Sequence, residues 1–273
     1  MPELPEVETI ARALNEQLQG RRIERARVTL SKLAPQGPRK LERHINGRKV
    51  ERVFRRGKFV VWELSGGVYL VVHLKMTGQF LFENPATEQP GHVHAIIDFD
   101  NRKRLFFRDL RQFGRWWSLN AKDVDAWFEQ RKIGPDPFEI TCDEFVQKLK
   151  QRRGRIKPLL LNQQFVSGLG NIYVDEALFA TGIHPLTHTQ MISPQKARQL
   201  YDNIHAILKE AIRQRGSTAA NYVDPAGQRG RYQEQHRVYR RTGEECCNCG
   251  AEVCRIVVGG RGTHFCPKCQ PKS

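Results

Sequence analysis

Four cysteines limit the folding options of this 273-residue chain more than any other feature: Cys246-x-x-Cys249 and Cys266-x-x-Cys269, two close pairs set sixteen residues apart. Each pair suits one tight turn, and two such turns can present four thiolates tetrahedrally to a zinc ion. Between them, Arg255–Val258 and Gly262–Phe265 read as short strands around Gly259-Gly260-Arg261, a hairpin too small to bury a core of its own. The spacing therefore predicts a metal-stapled hairpin with one structural zinc ion; the plainer alternative is cysteines buried for packing alone. Four ligands complete the tetrahedron, so the ion should shape the hairpin and aim Arg261 rather than activate water. Cys142, Cys247 and Cys254 are read as structural. Seven thiols, six of them between residues 246 and 269, do not form the dispersed framework of a disulfide-rich secreted fold.

The whole chain is long enough for two or three compact domains. Pro5 suits the first helical position, Glu6 and Glu8 complement the helix dipole, Gly20 is a stop, and Val7, Ile10, Leu14 and Leu18 make one apolar face. From about Arg22 to Leu119 the pattern turns to strands. Apolar and aromatic runs cover Lys49–Leu64, Val68–Phe82, Ala95–Phe99, Leu105–Leu110 and Arg115–Leu119, with turn signals at Ser65-Gly66-Gly67 and Asp100-Asn101. This predicts an antiparallel β-sandwich over residues 1–132. Residues 133–138, with two prolines and a glycine, are a candidate linker. A helical domain follows over 139–235, with a capping box at Thr141 and Glu144, a helix from Asn171 to Thr181 stopped at Gly182, and a long helix from Ser193-Pro194 to Gly216. The polar stretch from Ser217 to Tyr232 reads as a mobile loop. Residues 236–273 form the metal module.

Charge narrows the partner. Lys and Arg number 45 against 29 Asp and Glu, leaving +16, as expected of a protein that meets polyanions. The longest apolar stretch, Val68 to Leu74, is interrupted at His73 and too short for a bilayer. The acidic, proline-broken start is the reverse of a secretory signal. The expectation is a cytoplasmic protein. A membrane surface would favour a basic amphipathic helix or tail, whereas here the basic residues are spread along the chain, which favours nucleic acid.

Methionine followed by proline is a start that aminopeptidases commonly trim, which would leave Pro2 as a free secondary amine. An α-amino group titrates near 7.7 to 8, against about 10.4 for lysine, and a cation ahead of a helix opposes its dipole. Pro2 is therefore a candidate nucleophile toward an aldehydic sugar carbon, with Glu3 beside it to shuttle protons. On these residues alone, an ordinary helix start remains the alternative.

The stretches Met1-Pro-Glu-Leu-Pro-Glu-Val-Glu-Thr9, Arg56-Gly-Lys-Phe59, His73-Leu-Lys-Met76, Arg111-Gln-Phe-Gly114, Gly168-Leu-Gly-Asn-Ile-Tyr173 and Gly260-Arg-Gly-Thr-His-Phe-Cys266 together resemble bacterial formamidopyrimidine-DNA glycosylases from end to end. The resemblance implies an N-terminal β-sandwich with its opening helix, a helix-two-turns-helix domain and a zinc finger, with DNA held between the halves. It also implies a monomeric, nucleoid-associated repair enzyme without a nucleotide cofactor. Such an enzyme excises 8-oxoguanine and formamidopyrimidines from duplex DNA and cuts the abasic site by β,δ-elimination.

Carried residue by residue, the resemblance makes Pro2 the Schiff-base nucleophile and Glu3 the proton donor and acceptor, with Glu6 in support. Lys58 would donate a proton in β-elimination, and Arg261 would serve δ-elimination and phosphate contact. Met76, Arg111 and Phe113 would fill the hole left by the everted nucleotide, an event costing a few kcal/mol. His73, His92, Arg152, Lys157 and Asn171 would touch DNA. Lys75, in place of a common arginine, and Ala219-Ala220, in place of larger side chains, are departures that bear on base preference. Two other readings remain: an endonuclease VIII-like glycosylase for oxidised pyrimidines, disfavoured by Arg111-Gln-Phe113, and a non-catalytic zinc-finger DNA-binding protein.

Overall fold

The computed structural model describes residues 1–83, 90–218 and 222–272. The chain divides into two compact units, Met1–Arg131 with Gln214–Arg231, and Lys132–Arg213 with Tyr232–Ser273.

The first unit opens with α1 (Leu4–Leu18), whose buried stripe of Val7, Ile10, Leu14 and Leu18 is the one its 3.6-residue spacing predicts. The strands β1 (Ile23–Val28), β2 (Val50–Arg56), β3 (Phe59–Leu64), β4 (Val68–His73), β5 (Gly78–Phe82), β6 (Val93–Phe99), β7 (Arg104–Asp109) and β8 (Arg115–Asn120) follow. They form two four-stranded antiparallel sheets, ordered β1-β6-β7-β5 and β2-β3-β4-β8. The sandwich expected from the alternating runs is thus present. Aromatic rings join its layers: Trp62 of β3 stacks on Phe99 of β6 at 6.5 Å, and Phe107 of β7 meets Trp116 of β8 edge to face at 5.1 Å. Two helices were not anticipated, α2 (Pro38–Ile45) and α3 (Ala121–Gln130). Trp127 and Phe128 of α3 lie against Phe59, and Trp127 against Trp117, so the β2-β3-β4-β8 sheet is covered on both faces. That double cover explains why β3 and β4 read as nearly unbroken apolar runs.

The second unit holds α4 (Cys142–Lys150), α5 (Ile156–Leu161), α6 (Asn171–Thr181), α7 (Pro194–Arg213) and a hairpin of β9 (Cys254–Val258) and β10 (Arg261–Phe265). The Thr141–Glu144 capping box forms as predicted, and Gly182 closes α6 in the left-handed region at φ +67°. Helix α6 is buried on nearly every side, packed by α5, α7 and β10. Residues 133–138 are not a free tether, since Gly134 N–H donates to the Gln163 carbonyl and Ser167 N–H to that of Pro135. Among the described residues no helix is long and apolar enough to cross a membrane.

Candidate functional site

Chemistry in the first unit starts at the end of α1. Glu3 is the N-cap and Pro5 lies in the first turn, where its missing N–H costs nothing. Pro2 and Glu3 are buried, and Glu6 is only 1% exposed. Expected as a dipole partner, Glu6 does more: one carboxylate oxygen accepts the Glu3 N–H and the other the Ser217 N–H, both at 2.7 Å. Gly216 makes that approach possible. Its φ is +78°, and a Cβ there would lie 2.6 Å from the Glu6 carboxylate.

The segment read as a mobile loop is therefore anchored wherever it is described. Ser217, Thr218, Tyr222 and Asp224 are buried. Asp224 ion-pairs with Arg215 at 2.7 Å and accepts from the Ala226 and Gln228 N–H groups, while Phe82 N–H donates to the Pro225 carbonyl. Polar composition hid this because the anchors are hydrogen bonds and an ion pair, some within the segment and some, at Ser217 and Pro225, to distant parts of the chain, and none has a hydrophobic periodicity. Ala219 and Ala220 lie outside the described residues.

Lys58 sits in the β2–β3 turn after Gly57 and is buried, not the solvated lysine that a basic turn suggests. Arg55 ties this hairpin to α1 through an ion pair with Glu8 at 2.9 Å. Across the β3–β4 register, His73 faces Phe59, with ring centroids 4.7 Å apart. Burial, then the positive charges of Lys75 and Lys58, push His73 down to about 3. Its Nδ1 accepts the Lys75 N–H at 2.9 Å, so the neutral ring carries its proton on Nε2.

The three candidate wedge residues are exposed side chains on two turns, Met76 between β4 and β5, and Arg111 and Phe113 between β7 and β8. The Arg111 guanidinium lies over the Phe113 ring at 4.8 Å. Asp109, a residue the sequence reading missed, holds both turns. Its carboxylate accepts the Thr77 hydroxyl at 2.5 Å and the Gly114 N–H at 2.7 Å, and its own N–H donates to the carbonyl of exposed His92. The turns that carry Met76, His92, Arg111 and Phe113 are thereby joined through one buried residue, Asp109. Its sequence signal was an aspartate closing an apolar strand.

The second unit brings together Asn171, Lys157, Arg261 and the four cysteines, while Arg152 is an exposed residue after α4. Arg261 is exposed at the start of β10, after Gly259 and Gly260, both with positive φ. Asn171 Nδ2 donates to the Gly262 carbonyl at 2.8 Å. Lys157, expected at DNA, is fully buried and ion-paired with Asp175 at 2.5 Å. Glu176 beside it accepts the N–H groups of Arg237, Val238 and Tyr239, and burial raises its carboxyl. Neither acid was singled out from sequence, although a charged pair inside the apolar run Ile172–Phe179 was visible.

Cys246, Cys249, Cys266 and Cys269 place their sulfurs within 4.8 Å of one another, including pairs at 3.5 and 3.8 Å. A tetrahedron of Zn–S bonds of about 2.3 Å has edges of about 3.8 Å. Four soft donors at that spacing fit a metal ion. Cys247 and Cys254 stand outside the cluster.

Residues 1–116 match the family described as Formamidopyrimidine-DNA glycosylase N-terminal domain, and residues 133–222 the Formamidopyrimidine-DNA glycosylase H2TH domain. A Formamidopyrimidine-DNA glycosylase of Solibacter usitatus is 45% identical over 275 residues, covering 100% of both chains. Among solved structures, Lactococcus lactis Fpg in complex with DNA containing an abasic site is 37% identical with a TM-score of 0.93, covering 99% of this chain and 100% of that one. A variant of that protein bound to DNA containing Fapy-dG matches with the same identity, coverage and TM-score. With both matched segments accounting for most of the chain, and full-length relatives well above 30% identity, the chain belongs to the formamidopyrimidine-DNA glycosylase family.

Proposed function

We propose that this chain is a bifunctional DNA repair enzyme that excises oxidised purines from duplex DNA through a Pro2 Schiff base and then nicks the abasic site by β,δ-elimination. The observation that carries the reading is the buried carboxylate pair, Glu3 and Glu6, at the helix start beside Pro2, in a chain related to the family along its whole length.

The steps balance on this chain's residues. With Met1 removed, the Pro2 nitrogen lone pair attacks C1′, and the glycosidic electron pair leaves with the base and a proton. Glu3 protonates the ring oxygen as the sugar opens, and the resulting iminium, having no N–H proton to lose, is an electron sink. Glu3, ionised by that transfer, takes a C2′ proton as the C3′–O bond breaks, with Lys58 protonating the departing group. Loss of a C4′ proton to water then breaks the C5′–O bond, with Arg261 stabilising the second phosphate. Water finally hydrolyses the iminium and frees Pro2. Met76, Arg111 and Phe113 occupy the vacated stack, and His73, His92, Arg152 and Asn171 meet the backbone. Cys246, Cys249, Cys266 and Cys269 would hold one structural zinc ion that shapes the hairpin.

This reading keeps the functional division into a catalytic domain (1–132), a helix-two-turns-helix domain (139–235) and a zinc finger (236–273). Its setting is a monomer acting in the cytoplasm.

Borohydride reduction during turnover, followed by mass spectrometry, tests the reading. Duplex with 8-oxoguanine opposite cytosine should leave a covalent adduct on Pro2, more rapidly than thymine glycol opposite adenine. A Pro2→Gly variant trapped as efficiently at a lysine, or a chain that binds DNA and is never trapped, overturns it.

A further inference from the structure

Hairpin β9–β10 has two ends, and the metal cluster secures one of them. Cys266 follows the last residue of β10, whereas Arg261 begins the strand, five residues away and so about 17 Å distant at the rise of an extended chain. A ligand set at the base leaves a lever of that length free to swing.

The far end is held by a buried ionic cluster. The Lys157 ammonium, at 0% side-chain exposure, directs its three N–H donors to Asp175 Oδ1 at 2.5 Å, Thr263 Oγ1 at 2.8 Å and the Gly262 carbonyl at 3.3 Å. The second oxygen of Asp175 accepts the His264 N–H at 3.0 Å and contacts its Nδ1 at 3.1 Å. Asn171 adds a second donor to the Gly262 carbonyl. Thr263 completes a relay, because the hydroxyl that accepts from Lys157 donates to the Arg261 carbonyl at 3.0 Å. Three consecutive residues of β10 are thus tied to α5 and α6, and the residue ahead of them is Arg261.

We infer that Lys157 and Asp175 are positioning residues for Arg261, acting through Thr263, and that Lys157 does not itself grip a DNA phosphate. A lysine whose three protons are all taken by protein acceptors has none for a ligand. A buried ion pair is an indifferent source of stability, and geometric specificity is the better account of why one stands here. The inference rests on the proposed lyase reading, in which Arg261 serves the second elimination.

The test uses full-length, zinc-loaded protein and abasic-site duplex, reading the ratio of β,δ to β product together with zinc per chain. Thr263→Val keeps the shape and the ion pair while cutting the relay. It should retain one zinc and borohydride trapping at Pro2, yet lower the product ratio at least threefold. Lys157→Met should lower it at least tenfold and add nothing further in an Arg261→Ala background. Affinity against salt, read in the Arg261→Ala background, separates the direct role from the indirect one: a lost phosphate contact reduces the slope of log K on log salt by about one, and adding Lys157→Met to Arg261→Ala should leave it unchanged. A wild-type ratio in Thr263→Val, or a slope reduced by a further one when Lys157→Met is added to Arg261→Ala, overturns the inference. A wild type that cannot be trapped overturns the lyase reading instead.

Discussion

Histidines facing nucleic acid are commonly credited with a positive charge, and His73 does not carry one. Its half-buried ring packs on Phe59, and burial with the charges of Lys75 and Lys58 lowers it to about 3; in the proposed DNA complex it would act as a neutral Nε2–H donor, its Nδ1 being taken by the Lys75 N–H. The stability consequence has a definite sign. An unfolded histidine titrates near 6.5, so between about 6.5 and 3 the unfolded chain binds the extra proton. The contribution of His73 is complete above pH 6.5 and is lost as pH falls toward 3. Burial also lowers His236, to about 4, and His184 and His205, so four histidines contribute in the same direction. His73→Asn retains an acceptor without titrating and should flatten the decline in melting temperature between pH 6.5 and 4.5. An unchanged decline would mean that the folded ring is charged. In sequence, His73 was legible as a motif residue, but its charge state depends on neighbours brought by strand pairing.

Among the strands, the most consequential departure is the run Val68–Phe82, which reads as one apolar segment and folds as two strands in different sheets. The break at Leu74–Thr77, where Lys75 adopts φ +55°, is what sets Met76 on an exposed turn. Its fixture is Asp109, from a strand thirty residues on. Asp109→Ala removes a buried carboxylate and strands the Thr77 hydroxyl and Gly114 N–H, at a cost of about 2–3 kcal/mol. Urea denaturation should show that loss, and, if these turns carry the proposed wedge, 8-oxoguanine excision should fall more steeply than trapping at a preformed abasic site, since the turns loosen while α1 is untouched. A midpoint within error of wild type would remove Asp109 from this role. Helix α2 escaped notice because its apolar face is only Leu41 and Ile45, while α3 carries Val124, Trp127 and Phe128 at clear helical spacing.

For the chain taken entire, stability is divided between two kinds of core. The sandwich is held by a large apolar cluster in which α1 and both sheets share. The hairpin has only a small one, with Val238, Val253 and Phe179 around the cysteines, so an ion held by the four thiols would supply what burial cannot. Stripping the metal with a chelator should release about one zinc per chain and abolish hydrogen-exchange protection across 254–265, while strands β3, β4 and β7 remain protected. Retained protection in the hairpin after complete metal removal would show that the helical unit alone suffices to hold it.

Short-range chemistry made much of this protein readable in advance. The opening helix, the Thr141–Glu144 cap, the Gly182 stop and the paired cysteines each depend on residues a few positions apart, so each appears in the order of letters. Four carboxylates and one lysine did not reveal their tasks that way. Glu6 meets Ser217 across 211 positions, Asp109 meets Thr77 across 32, and Lys157 meets Thr263 across 106. Asp175 and Glu176 bind the backbone at His264 and at Arg237–Tyr239. Burial and pairing are properties of neighbours in space, and folding, by bringing distant donors to these groups, sets which of them hold the candidate site in place and which are left to act.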